Sequence, residues 1–225
     1  AHLFAAANAL DFDDLNTTLG GHPSAPVLSA VLPLAETRDA SGAELLRAFV
    51  HGVETVVLLG EVLNPGHYER GWHPTAVCGH VGSAVAAGAL LELDTEGLRR
   101  AVGIAVSQAG GTKANFGTMT KPLHAGHAAE MGTRAALLAD AGFGATDEVL
   151  EGPMGYGSAM NPTGTFDETD VRESPGGHWG VEDIGLKPYP SGVITHAAME
   201  ATRRLVAEHD LAPAAVERAT VTLDE

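Results

Sequence analysis

The stretch Thr75 to Leu93 limits the architecture more than any other part of the chain. It places Gly79, Gly82, Ser83, Ala86, Ala87 and Gly88 along one apolar run with a single acidic residue, Glu92. Each glycine inside a helix costs roughly 1 kcal/mol relative to alanine. Such a run is sustained only where other backbones approach closely enough to need the missing side chains. A buried helix wrapped by other helices is therefore expected. The apolar part, Val77 to Leu93, falls short of the roughly 20 uncharged residues that span a bilayer, and its small residues suit protein packing.

Helical signals surround this segment. Ala1 to Leu10 is alanine-rich with apolar spacing. Pro26 to Glu36 opens on a proline suited to a first turn, and Ser41 to Val62 opens on Ser-Gly-Ala-Glu, a capping-box pattern. Asp94-Thr95-Glu96-Gly97 reads as a cap for a helix reaching about Gln108, with Leu98, Val102 and Ala105 on one face. Further helices are expected from Gly126 to Ala141 and, more briefly, from Thr146. Gly152 to Gly185 is rich in Gly, Pro, Asp and Ser without periodicity, as in a long ordered loop or a domain junction. Thr195 to Glu208 then reads as an amphipathic helix. Val216 to Leu223 alternates as a half-buried strand does, and such a strand requires partners beyond Glu225 or in another chain. The expected fold class is mainly α: a large all-α helical domain over residues 1–185, then the beginning of a smaller α+β domain over residues 186–225.

Charge and cysteine content narrow the partners. A formal charge of −16 repels nucleic-acid phosphates and anionic membrane surfaces, and no basic stripe offsets it. Neither a nucleic acid nor a membrane is therefore an expected partner. The lone Cys78 excludes an intrachain disulfide and a Cys-rich metal site, which fits a reducing compartment, the cytoplasm. The first residues lack the basic n-region of a signal peptide. Without an initiator Met, a processed or incomplete chain is expected.

The chemically capable side chains gather in four short segments: DFDD…GGHPS, GWHPT, TKPLH and KPYPSG. Asp11, Asp13 and Asp14 follow a predicted helix, where carboxylates oppose the dipole. They make sense if one of them orients His22, eleven residues after Asp11, as a general acid or base. An acidic helix end beside a surface histidine would give the same spacing. His73 precedes Pro74, which holds it extended at the start of the central helix; a packing or capping role suits it equally. Lys121 and Lys187, two of only three lysines, each precede a proline and would present ammonium groups of fixed direction to substrate carboxylates. Each could instead pair with a surface acid. No pair of histidines has the spacing of a zinc helix, and no phosphate-cradling or nucleophile-elbow motif occurs, so no metal and no cofactor is expected.

Taken in order, ALDFDD, HPSAPVLSA, GWHPTAVCG, SQAGG, TKPLHAGHAAEMG and KPYPSGVITH resemble the MmgE/PrpD family. That family includes 2-methylcitrate dehydratases, cis-aconitate decarboxylases and an iminodisuccinate epimerase. The resemblance runs through nearly the whole chain. It implies a large all-α domain with a smaller α+β lid, a homodimer, no cofactor or metal, and members about twice this length. Carried over residue by residue, it implies an active site lined by Asp11, His22, His73, Lys121 and Lys187. Two positions depart from the decarboxylase pattern. Leu15 stands where a threonine follows DFDD, so Thr17 or Thr18 is expected to substitute. Gly192 stands where the decarboxylase has a histidine and other members a cysteine, which counts against decarboxylation.

The expected activity is that of a cofactor-independent lyase acting on a small di- or tricarboxylate by proton abstraction next to a carboxylate. Asp11, His22 and His73 would be catalytic, and Lys121, Lys187, Thr17 and Thr18 would bind substrate. Dehydration of the 2-methylcitrate kind comes first, then epimerisation, then decarboxylation of cis-aconitate. A non-catalytic, metabolite-binding homodimeric helical protein is the alternative of another class.

Overall fold

A computed structural model describes residues 8–161 and 179–222. The helix expected over Ala1 to Leu10 lies mostly outside the described residues. The principal helices are α1 (Ser24–Arg38), α2 (Gly42–Leu63), a single turn α3 (Gly66–Glu69), α4 (Pro74–Leu90), α5 (Thr95–Val106), α6 (Thr120–Asp140), the short α7 (Tyr156–Met160) and α8 (His196–His209). Two-residue strands β1 (Asp14–Leu15) and β2 (Gly185–Leu186) pair antiparallel, Asp14 opposite Leu186 and Leu15 opposite Gly185. The mainly α expectation holds, and no helix of the described residues is long and apolar enough to cross a membrane.

The small-residue stretch does form the central helix. Helix α4 is buried along nearly its whole length and is packed by α1, α2, α5 and α6. One side meets Val27, Val31, Val53, Val56 and Val57 from α1 and α2, capped by Leu19 and Leu63. Its opposite side meets an alanine-rich face of α5 and α6: Ala101, Ala105, Ala135, Ala136 and Ala139. The glycines mark the crossings. A Cβ on Gly82 would lie 2.2 Å from Val56 Cγ2 and 2.6 Å from the Gly52 carbonyl oxygen, and one on Gly132 would lie 2.4 Å from Ser83 Cβ. Gly82→Ala is therefore expected to cost about 1–3 kcal/mol by overpacking. Gly42→Ala, where the added Cβ meets open space, serves as the control. Chemical denaturation of both variants checks this, and equal midpoints would refute the crossing argument.

Local signals set the ends. Ser41 caps α2 as a reciprocal box: Glu44 accepts from the Ser41 N–H at 2.7 Å, and the Ser41 hydroxyl accepts from the Glu44 N–H at 3.3 Å. Asp94 caps α5 through the Gly97 N–H at 2.8 Å.

Four elements differ from the sequence reading. Helix α6 starts at Thr120 rather than Gly126, so TKPLH is a first helical turn instead of a loop; Pro122 fits there because that turn's N–H groups lack intrahelical acceptors anyway. The segment after Thr146 forms turns, since Gly152 and Pro153 arrive before a helix nucleus can extend. Helix α7 forms within the segment read as a loop. The strand expected over Val216 to Leu223 is not formed across residues 216–222, which run exposed and unpaired after a 3-10 turn at Pro213–Ala215. Among the described residues no strand lies beside it, and an unpaired strand gains no ladder.

Candidate active site

The β1–β2 pairing brings the aspartate run beside Lys187. Its approach is fixed by the turn Gly180–Asp183, where the Gly180 N–H donates to Glu54 of α2 at 2.6 Å and the Asn16 amide donates back to the Gly180 carbonyl at 3.4 Å. The Lys187 ammonium donates to Asp11 Oδ1 at 2.8 Å and to Asp13 Oδ1 at 2.7 Å, with its side chain only 1% exposed. Asp13 also accepts a short contact from the Asn8 amide. Lys121, in the first turn of α6, donates to the same Asp11 Oδ1 at 3.1 Å and stays partly open. Asp11 thus bridges two ammonium groups from a left-handed backbone position, φ 54. Burial alone would raise its pKa, but the two lysines hold it below the usual carboxylate range. The two motif lysines therefore differ. Lys187, itself buried, spends two of its three donors on carboxylates, whereas Lys121 spends one.

The third aspartate has a different task. Asp14 accepts from the Ser24 hydroxyl at 2.6 Å and from the Ser24 N–H at 3.1 Å, serving the start of α1. Burial nevertheless pushes its carboxyl up to about 6, against those hydrogen bonds. What looked like carboxylates opposing one helix dipole includes a cap for the next helix.

His22 leaves a tight loop closed by the Asn16–Gly21 bridge, whose Leu19 plugs the core. Its backbone N–H donates to the Thr75 hydroxyl at 3.0 Å, and its ring Nδ1 lies 2.6 Å from the Asp14 carbonyl oxygen. A carbonyl only accepts, so Nδ1 carries the proton, and neutral His22 presents a bare Nε2 suited to a base. Burial lowers its pKa, opposed by the Asp13 carboxylate 3.6 Å away. Of the three aspartates, Asp14 through its carbonyl and Asp13 through its carboxylate lie against the ring, and Asp11 does not bond to it.

His73 precedes α4, as its sequence context implied. Its N–H donates to the Gly111 carbonyl at 3.0 Å, and its ring meets the edge of Phe116 and the ring of His124 on α6, Nδ1 to Nδ1 at 3.1 Å. A second pair, His80 Nε2 to His127 Nδ1 at 3.2 Å, continues along the same α4–α6 interface. His124 is the site residue that sequence reasoning missed. It lies three residues after Lys121, on the same helical face once TKPLH is known to be helical.

Thr17 and Thr18 are placed differently. They line a separate cleft of ≈ 370 Å³ with Leu15, Asn64, Tyr68 and Val193, and among the described residues neither hydroxyl bonds to the lysine–carboxylate cluster. Donor atoms of Asp11, Asp13 and His22 lie within 4.8 Å of one another, a spacing a metal ion could use. The Lys187 ammonium is hydrogen-bonded to both of those carboxylates and already supplies the countercharge.

The buried imidazoles predict acid sensitivity. Burial pushes His73 down to about 3, assisted by His124, and both His67 and His80 down to about 4. Each binds its proton less readily folded than unfolded, so the stability it contributes is complete above about 6.5 and is lost as pH falls toward the folded value, on the order of 1–2 kcal/mol each by pH 5. Asp14 acts in the opposite sense, because its stabilising protonated form is lost as pH rises through about 6. Three imidazoles outweigh one carboxyl. The thermal midpoint is expected to fall between pH 7 and pH 5, and a flat profile would contradict these burials.

Residues 4–169 match the model of the MmgE/PrpD N-terminal domain. Among curated proteins, human cis-aconitate decarboxylase is 35% identical over 219 residues, covering 92% of this chain and 45% of the relative. The mouse enzyme of the same name is 33% identical over 226 residues, covering 97% and 45%, and that of Aspergillus terreus is 30% identical over 213 residues, covering 89% and 44%. The chain spans about half the length of the curated relatives it matches.

Proposed function

The chain belongs to the MmgE/PrpD family, and from that premise we propose that it carries the helical half of the active site of a lyase acting on a small tricarboxylate without a cofactor. The observation that carries this reading is the ammonium of Lys121, held beside Asp11 in the same cluster as a base-ready His22. Loss of water and loss of carbon dioxide make one shared demand: negative charge develops on a carbon conjugated with a carboxylate. A positioned ammonium stabilises that charge more in the transition state than in the ground state. His22 or His73 moves the proton, Lys121 receives a substrate carboxylate, and Lys187 holds Asp11 and Asp13 in register. Thr17 and Thr18, in their own cleft, are left out of the proposed substrate contacts.

The named relatives favour decarboxylation of cis-aconitate over the dehydration that ranked first on motifs alone. Gly192 supports dehydration as the second reading. Its backbone is ordinary and a Cβ there would meet open space, so Gly192→His should fold normally and raise carbon dioxide release relative to water loss. The test is a panel of cis-aconitate, citrate, 2-methylcitrate and aminosuccinate-type acids, followed by NMR in deuterium oxide with the full-length gene product. Turnover, or deuterium at the carbon next to a carboxylate, is expected. Binding of these acids with neither outcome would identify a metabolite-binding protein and reject the lyase.

A further inference from the structure

His73 faces a difficulty as a proton carrier. It is 2% exposed, and the groups around it are His124 and Lys121 from α6, His22 from the loop before α1 and His67 from α3. A buried ring among cationic or neutral neighbours, with no carboxylate against it among the described residues, is poorly placed to hold a positive charge. The ring nonetheless has one nitrogen committed, Nδ1 at 3.1 Å from His124 Nδ1, while Nε2 has no hydrogen-bond partner among the described residues. Building on the lyase reading above, we propose that His124 is the proton partner of His73: the two rings act as one acid–base unit in which a proton crosses between their Nδ1 atoms.

The proton count closes. Two neutral imidazoles joined through Nδ1 atoms share one proton, so one ring donates and the other accepts. When His73 Nδ1 donates, its Nε2 is bare. As that Nε2 takes a proton from substrate carbon, the Nδ1 proton passes to His124 Nδ1, and His124 releases its own Nε2 proton to solvent. His73 stays neutral throughout. The reverse sequence makes His73 Nε2 a proton donor to a carbon or a leaving group. His124 is a positioning and relay residue, acting through His73, and its partial exposure allows the solvent step. One loop residue sets the geometry. The Gly111 carbonyl accepts the His73 N–H at 3.0 Å, and a Cβ on Gly111 would lie 3.4 Å from His124 Nδ1 and 2.8 Å from Ala76 Cβ. At φ +130, a backbone conformation that favours glycine, the loop can lie against the His124 ring while its carbonyl holds the His73 backbone.

Two arms test this on the full-length protein. In the first, nitrogen NMR of the histidine rings is recorded for wild type, His124→Asn and His124→Leu. The His73 nitrogen shifts should show exchange between tautomers in wild type and a single fixed tautomer in either variant. Identical His73 shifts in all three would overturn the pairing, whether or not any acid is turned over. In the second, with whichever acid of the panel reacts, His124→Leu should lower kcat by about a hundredfold with little change in KM. His124→Asn, which keeps a hydrogen-bonding group near the Nδ1 position but cannot relay, should remain equally slow, and millimolar imidazole should restore part of the rate to His124→Ala. Full activity in His124→Asn would reduce His124 to a structural hydrogen bond and overturn the relay. A wild-type protein inert to the whole panel would reject the lyase reading, with the NMR arm still deciding the pairing.

Discussion

Lys187→Met is expected to lower the thermal unfolding midpoint by about 10 °C, a larger loss of stability than that foreseen for overpacking a helix crossing. The reason lies in what would remain. Asp13, 3% exposed at its side chain, and Asp11, 26% exposed, would keep their negative charges without the ammonium that bonds to both. Breaking a buried pair by removing one partner costs about 3–5 kcal/mol, because the surviving charge is stranded in a low-dielectric site. Adding Asp13→Asn to Lys187→Met should recover part of the loss, since one stranded charge disappears with its partner. Thermal melts of the single and double variants measure this. A Lys187→Met midpoint within about 2 °C of wild type, a shift worth under 1 kcal/mol for a chain this size, would show that Lys187 is not the internal cation of the cluster.

Lys121→Ala should do the converse, leaving the melt nearly unchanged while lowering kcat/KM by about 10²–10³. Its ion pair with Asp11 is partly exposed, and such pairs are worth about 0–1 kcal/mol. Its value is instead that a donor remains for an anion. Steady-state kinetics on the reactive acid would register the loss; unchanged turnover and affinity would remove Lys121 from the site. The contrast between the two lysines is the sharper result, because their sequence contexts, Lys-Pro in each case, are alike.

That contrast also shows what could be read from residues alone. The central helix was legible because an apolar helix tolerates repeated glycines in few settings besides a close crossing, and the α2 and α5 starts because their caps act within three residues. Asp11, His22, Lys121 and Lys187 were legible as a set, and the structure brings their side chains to one place. Their pairings were not. Nothing local distinguishes the aspartate that bridges lysines from the one that caps α1, because each role depends on a partner 10 to 176 residues away. His124 stayed hidden for a related reason: reading TKPLH as a loop removed the periodicity that would have set it on the same face as Lys121. The strand over Val216 to Leu223 failed because alternation describes one side of a ladder whose other side is not among the described residues.

The two-residue ladder between β1 and β2 has a consequence for how the molecule responds to stress. It ties residue 14 to residue 186, closing most of the chain into a ring through a ladder of two residue pairs, while the helical bundle is held by its own interior. Such a clasp can open without the bundle opening. When it does, Lys187 leaves the carboxylates and the charge arrangement dissolves, although most of the helical signal persists. Hydrogen exchange in residues 14–15 and 185–186 would then report brief openings well below the melting midpoint, ahead of exchange inside the bundle.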